Sequence, residues 1–447
     1  MTGTTVKALA ARLAAGEITA VELAEHAIAR IVETNDRWHI FISWDPGQAL
    51  QAARASDERR AKGTSLGRLD GIPFAIKDNL DAAGYVTTDG ARSAALPADA
   101  DSAAVARLRA AGAVLIGKLN MHEGALGATT DNGVWGRCEN PALAGHTPGG
   151  SSGGSAAAIT GGIVTMTLGT DTMGSVRIPA AYGGLWALKP TFGVVSRAGM
   201  TILSNTLDTI GPLANSAADL EATLEIIAGY DASDPDSVAP PDVWSTPVAP
   251  VDLHSLSFAV PTPIIRHICE PDIVAAFEGL LEAVQDAGAR IVEADMAGWE
   301  PPTARRAGLL VLEAEGAGRL GDRLDHDDAI YSEEFRAMLA YGRDAPGVKI
   351  ASAYRTIALC RSVALRTLSD VDAILMPAAP QAAFPYGVVA PVSQADLTAL
   401  ANLSGCPAAV FPHRFGDVKP TASAQLVGSH FSDRRILAIS EKLGTLP

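Results

Sequence analysis

Between residues 145 and 184, eleven of forty residues are glycine, and Ser151, Ser152, Ser155 and Ser175 stand among them. Glycine loses more backbone freedom on folding than any other residue, so such density is kept where a chain turns sharply or passes close to something else. A flexible surface linker would share this composition, but the stretch 156–168 is too apolar for one. The block reads as a buried, tightly turned segment that presents serines.

The chain has enough material to enclose it. At 447 residues and 48% hydrophobic, it can bury an extensive core, and length alone allows roughly two to three domains. The formal net charge of −15, with no Lys/Arg-rich run, argues against nucleic acid or a membrane surface as partner, because both need clustered cations. No apolar run approaches the about 20 residues of a bilayer span. The N-terminus lacks the basic flank, apolar run and cleavage site of a secretory signal, so a cytoplasmic protein is expected. Cys138, Cys269, Cys360 and Cys406 are widely spaced and read as buried thiols.

Helix and strand signals alternate along the chain. Thr19 with Glu22 forms a capping box ahead of Leu23, Ala27 and Ile31 at helical spacing. A helix signal from Ser102 to Leu108 stops at Gly112, and the apolar run 113–116 follows as strand. The same order recurs where Pro271 opens a helix, Gly288 closes it and 290–293 extends. Further buried-strand candidates are 74–76, 258–260 and 373–376. The fold class is therefore α/β, with helices covering a sheet. Five prolines between 233 and 252 mark a long connection. The halves on either side are taken as lobes of one catalytic unit, 1–447, rather than as separate domains.

Three general motifs nearly fit. Gly150-Ser151-Ser152-Gly153-Gly154 satisfies G-x-S-x-G, which would make Ser152 a nucleophile served by a distant histidine, yet no hydrophobic strand precedes it. Gly112 to Lys118 approximates a phosphate-binding loop, but Leu119 stands where a hydroxyl must hold magnesium. His122-Glu123 begins a zinc motif whose second histidine position is Leu126, so no metal is expected there. The acidic cluster Asp322, Asp325, Asp327 and Asp328 reads as a solvated loop.

More specific are Gly149-Gly150-Ser151-Ser152-Gly153-Gly154-Ser155 and Gly169-Thr170-Asp171-Thr172-Met173-Gly174-Ser175-Val176-Arg177. With Gly71-Ile72-Pro73-Phe74-Ala75-Ile76-Lys77-Asp78 and Leu188-Lys189-Pro190-Thr191, they resemble the amidase signature family. The resemblance spans nearly the whole chain, strongest over 65–195 and looser over the second lobe, 253–447. It implies a mixed, twisted β-sheet covered by helices on both faces, no cofactor, and a Ser-cisSer-Lys triad. Carried over residue by residue, the triad is Ser175 as nucleophile, Ser151 as the bridging serine after a cis Gly150–Ser151 bond, and Lys77 as base. Ser152 is expected to support Lys77 by a hydrogen bond.

The chemistry is physically coherent. A serine hydroxyl is a weak nucleophile until a base takes its proton, and a lysine serves only when neutral. Lys77 must therefore be brought from about 10.4 toward roughly 7 to 8, and burial among 72–76 would contribute. Backbone N–H groups of Thr172, Met173, Gly174 and Ser175 match the family's oxyanion hole. Met173 departs from the family pattern, which has glycine there. Asp171 and Arg177 are expected to pair and brace this turn, a substrate-carboxylate contact being the lesser reading for Arg177. Lys118 reads as structural.

The implied activity is hydrolysis of C–N bonds in a small amide or carbamate through an acyl-enzyme. The alternative implied by the same family is the glutaminase-like subunit of a tRNA-dependent amidotransferase. Substrate-facing residues are expected around Met121, Gly127 and Thr129, at Met173, and within 299–350. A homodimer is the base-rate expectation for assembly.

Overall fold

Thirteen strands are described: β1 (Phe41–Trp44), β2 (Pro73–Lys77), β3 (Val114–Leu119), β4 (Asp131–Asn132), β5 (Gly136–Arg137), β6 (Met166–Asp171), β7 (Trp186–Lys189), β8 (Thr209–Ala214), β9 (Ser257–Val260), β10 (Arg290–Glu293), β11 (Ala373–Pro377), β12 (Ala408–His413) and β13 (Ala422–Val427). This computed structural model describes all residues except 94, 322, 323 and 325–329. The acidic cluster Asp322, Asp325, Asp327 and Asp328 lies outside the described residues.

Strands β4 and β5 form a small ribbon; the other eleven make one sheet in the order β1-β3-β2-β6-β8-β7-β12-β13-β11-β9-β10. It is mixed: β3, β2 and β6 run parallel, as do β11, β9 and β10, and antiparallel pairs join these two groups. Every residue of β2, β3, β6, β8 and β11 is buried. Successive side chains on a strand point to opposite faces, so continuous burial requires cover on both. The helices supply that cover, and each has a local reason to form. At Ala20–Trp38 the Thr19 hydroxyl accepts from Glu22 N–H while Glu22 accepts from Thr19 N–H, a complete capping box. Pro271–Asp286 starts on its proline and buries Ile273, Phe277, Leu280 and Val284 on one stripe.

The connection at 233–252 contains a short 3₁₀ turn, Asp242–Ser245. It is fastened from both sides of the chain: Arg197 pairs with Asp234 and Asp236, and Trp244 Nε1 donates to the Phe431 carbonyl at 2.8 Å. The two halves share the sheet through β7 against β12. A polar clamp adds to this junction, where buried Asp433 accepts from Thr191 N–H at 2.7 Å and from Thr191 Oγ1 at 2.6 Å.

Removing that clamp leaves a buried donor without a partner. Asp433→Ala is expected to lower unfolding free energy by about 2 to 3 kcal/mol. Urea denaturation followed by circular dichroism measures it, and an unchanged midpoint would show the clamp to be dispensable.

Candidate active site

Strands β2 and β6 are neighbours, and their C-terminal ends deliver Lys77 and Asp171 to the same region. Lys77 has no solvent contact. Its Nζ donates to Ser151 Oγ at 2.7 Å and to Thr170 Oγ1 at 2.8 Å, and Asn79 Nδ2 also donates to Thr170 Oγ1, at 3.1 Å. Burial disfavours the ammonium and outweighs the attraction of Asp89, Asp208 and Asp171, which lowers the Lys77 pKa to about 7. A sizeable fraction of this amine is thus uncharged near neutrality and able to accept a proton.

The peptide bond Gly150–Ser151 is cis. A Cβ on Gly150 would lie 2.7 Å from the Thr129 nitrogen, so the chain passes too close there for any larger residue. Ser152 N–H donates to the Ser175 carbonyl at 3.2 Å, which holds the cis segment against the turn carrying Ser175.

That turn is built around a carboxylate. Asp171 Oδ1 accepts from Gly174 N–H at 2.7 Å, and Oδ2 accepts from Val176 N–H at 3.1 Å. Arg177 closes a two-pronged pair, Nε to Oδ2 at 3.0 Å and Nη2 to Oδ1 at 2.9 Å, with both side chains fully buried. Burial alone would raise the Asp171 pKa, but the Arg177 charge and hydrogen bonds, with Asn402, override it and hold the carboxyl at about 2. The remaining Arg177 donors reach the Thr398 carbonyl at 2.8 Å, Gln425 Oε1 at 3.1 Å and Asn402 Oδ1 at 2.6 Å. On the other flank Thr172 Oγ1 donates to Asp208 at 2.6 Å.

Ser175 lines a cavity of about 270 Å³. Its walls come from 125–128, Gly150, Thr172, Met173, Ile178, the helix face bearing Arg305, Leu309 and Leu312, and the loop 391–395.

A family model for amidases matches residues 22–437. The chain belongs to the amidase signature family. The A subunit of glutamyl-tRNA(Gln) amidotransferase from Chloroflexus aggregans is 37% identical across 98% of this chain and 95% of its own length. Among solved structures, a vestigial protein complex described as revealing the evolutionary origins of an s-triazine catabolic enzyme contains a chain 31% identical, with a TM-score of 0.91 over 98% of both chains. A protein described as an amidase is 30% identical, with a TM-score of 0.88 over 98% of this chain and 99% of that one. The protein is accordingly a hydrolase acting on C–N bonds.

Within this amidase, several expected positions fall differently. Ser152 does not bond Lys77; its Oγ donates to the Thr170 carbonyl at 3.1 Å, because the residue opens the helix Gly153–Thr160 and faces β6. Thr170 takes the place expected of it. Gly174 N–H is committed to Asp171, which withdraws it from the expected oxyanion donors, whereas Thr172, Met173 and Ser175 line the cavity. Gly127 lines the cavity, whereas Met121 is buried in the core and Thr129 Oγ1 faces His122. Positive φ at Gly124 and Ala125 turns the intervening chain, so residues 125–128 face inward instead. Arg177 is enclosed by protein acceptors, so a substrate carboxylate does not reach it. Lys118 pairs with Asp78 at 3.2 Å, both side chains buried. Among the described residues no histidine ring hydrogen-bonds Ser152 or Ser175, and burial lowers the His122 pKa to about 4. Asn402 and Thr398 carry no signal in the sequence.

Breaking the Asp171–Arg177 pair strands a buried guanidinium. Asp171→Ala is expected to cost about 3 to 5 kcal/mol of stability. Guanidinium unfolding measures this, and a loss under about 1 kcal/mol would mean that the Arg177 charge is compensated elsewhere.

Proposed function

We propose that the protein hydrolyses small amides through an acyl-enzyme on Ser175, with Ser151 and Lys77 moving the proton. The observation that carries this reading is a buried amine, its pKa lowered to about 7, 2.7 Å from the hydroxyl of the residue following Gly150, beside the cavity that Ser175 lines. Ser175 Oγ attacks the carbonyl carbon while Ser151 takes its proton and passes its own to Lys77 Nζ. The developing oxyanion meets the N–H groups of Thr172, Met173 and Ser175, preset donors that need no reorganisation. The proton returns through Ser151 to the leaving nitrogen as the C–N bond breaks. Water then attacks the ester by the same relay in reverse, releasing acid and free Ser175. The chain acts as one unit, with residues 65–195 supplying the reacting groups and 253–447 the opposite wall.

A glutaminase-like subunit is the second reading, favoured by the 37% identity to the amidotransferase chain from Chloroflexus aggregans. Glutamine brings an ammonium group, and no carboxylate stands among the described residues lining the cavity. A wall of that composition offers the cation no partner, which supports the stand-alone hydrolase.

Fluorophosphonate labelling of the protein alone, with peptide mapping, is expected to mark Ser175, and turnover of an anilide or a carbamate is expected without any partner. Ser175→Ala and Lys77→Ala each lose on the order of 10³-fold or more in kcat/KM. Label on Ser152 would overturn the assignment, and turnover of glutamine alone would favour the glutaminase reading.

Lys77 also sets a pH profile. The active form is the deprotonated amine, so activity rises with pH by about tenfold per unit on the acid side. It levels off above the Lys77 pKa of about 7. Stopped assays in constant-ionic-strength buffers test this, and a profile falling through that range would exclude a neutral lysine as the base.

A further inference from the structure

One wall of the cavity is a helix face. Arg305, Leu309 and Leu312 of Pro301–Leu320 recur at intervals of four and three, which aligns them on one side. Gly308 lies on the same side and makes room for Met173, since a Cβ there would meet Met173 Sδ at 2.6 Å. The walls are otherwise apolar or neutral, and Arg305 is the one charged side chain among the described residues lining the cavity.

Arg305 is held in a definite pose. Its Nε donates to Asp396 Oδ1 at 2.6 Å, and the two side chains are only 13% and 3% exposed. Asp396 lies at the end of the loop 391–395, its N–H donating to the Ser393 carbonyl at 2.8 Å. Among the described residues no protein group accepts from Nη1 or Nη2 of Arg305. The other cations near the site are all committed: Arg177 to Asp171, Lys118 to Asp78, Lys189 to the Pro190 carbonyl and Lys77 to two hydroxyls.

A guanidinium anchored through Nε presents its two Nη groups as a planar fork, which matches a carboxylate bidentately. A neutral amide has no group that uses both prongs with charge. We propose that Arg305 is a specificity-determining residue that binds a carboxylate on the substrate, and that the substrate class is amides bearing a carboxylate but no ammonium group. Asp396 is its positioning partner. This rests on the reading of Ser175 as nucleophile, and it narrows that reading from amides in general to acidic ones. The cation of glutamine would meet Arg305 with no acid on the walls to receive it, Asp396 being engaged by Arg305 itself, so glutamine falls outside the class.

The test compares succinamate and glutaramate with uncharged primary amides of the same chain length, with an ω-amino amide and with L-glutamine. For the wild-type protein, kcat/KM for the better acidic amide is expected to exceed that for its uncharged counterpart by about tenfold or more. Glutamine and the ω-amino amide should be the poorest. Arg305→Gln abolishes the preference, chiefly through KM for the acidic amide, and Arg305→Lys restores part of it because the charge remains without the fork. Equal kcat/KM for acidic and uncharged amides, or preference for glutamine or the ω-amino amide, overturns the proposal while leaving Ser175 labelling and the hydrolase reading intact. If no amide turns over and Ser175 is unlabelled, the hydrolase reading itself fails. Calorimetric titration then decides Arg305 separately. Tighter binding of glutaramate than of the uncharged amide, lost in Arg305→Gln, supports the carboxylate site; equal or absent binding overturns it.

Discussion

The pairing of Asp171 with Arg177, both closed off from solvent, is the interaction on which the site depends. A carboxylate so placed is costly unless every lone pair is used, and here two backbone N–H groups, a guanidinium and Asn402 use them. The two backbone donors, Gly174 and Val176, flank Ser175, so the ion pair sets the conformation of the turn that presents this hydroxyl. The guanidinium in turn reaches Thr398, Asn402 and Gln425, more than two hundred residues on. Thr398 returns a hydrogen bond to the Met173 carbonyl at 2.6 Å. One buried charge pair therefore ties the turn to the far half of the sheet. Buried ion pairs add little net stability compared with apolar packing, and their value here is geometric.

Lys77 illustrates the complementary use of burial. The aspartates nearby are attractive to an ammonium, yet loss of hydration dominates. The two hydrogen bonds from Nζ go to hydroxyls, not carboxylates. Lys118, one strand away, makes the contrast: it is equally buried but meets the Asp78 carboxylate directly. Two equally buried lysines thus differ in their immediate partners, hydroxyls for Lys77 and a carboxylate for Lys118.

Much of this is legible in the sequence. The strand expected at 290–293 is β10 without change, and that at 113–116 appears as β3, shifted by one residue at its start and extended through Lys118 to Leu119. The capping box at Thr19 and the helix opened by Pro271 are local signals and form locally. Lys77, Ser151 and Ser175 sit within dense motifs. The differences are of another kind. Adjacency assigns Ser152 to Lys77, but the start of the helix Gly153–Thr160 turns its hydroxyl toward β6. Gly174 counts as an oxyanion donor by its place in the motif, although Asp171 takes its N–H. Met121 and Thr129 are expected near the substrate from their place in the chain, whereas left-handed residues at Gly124 and Ala125 present 125–128 to the cavity instead.

The sequence alone determined the class of chemistry and the local turns, because glycine spacing, caps and apolar runs act over a few residues and need no distant partner. Which hydroxyl accepts from Lys77, which amide nitrogens remain available, and which side chains close the cavity were decided only by the tertiary structure. Those outcomes depend on pairings such as Arg177 with Gln425, Met173 with Gly308 and Arg305 with Asp396. Partners so far apart in the chain leave no periodicity to read, and they meet only once the sheet has brought both halves together.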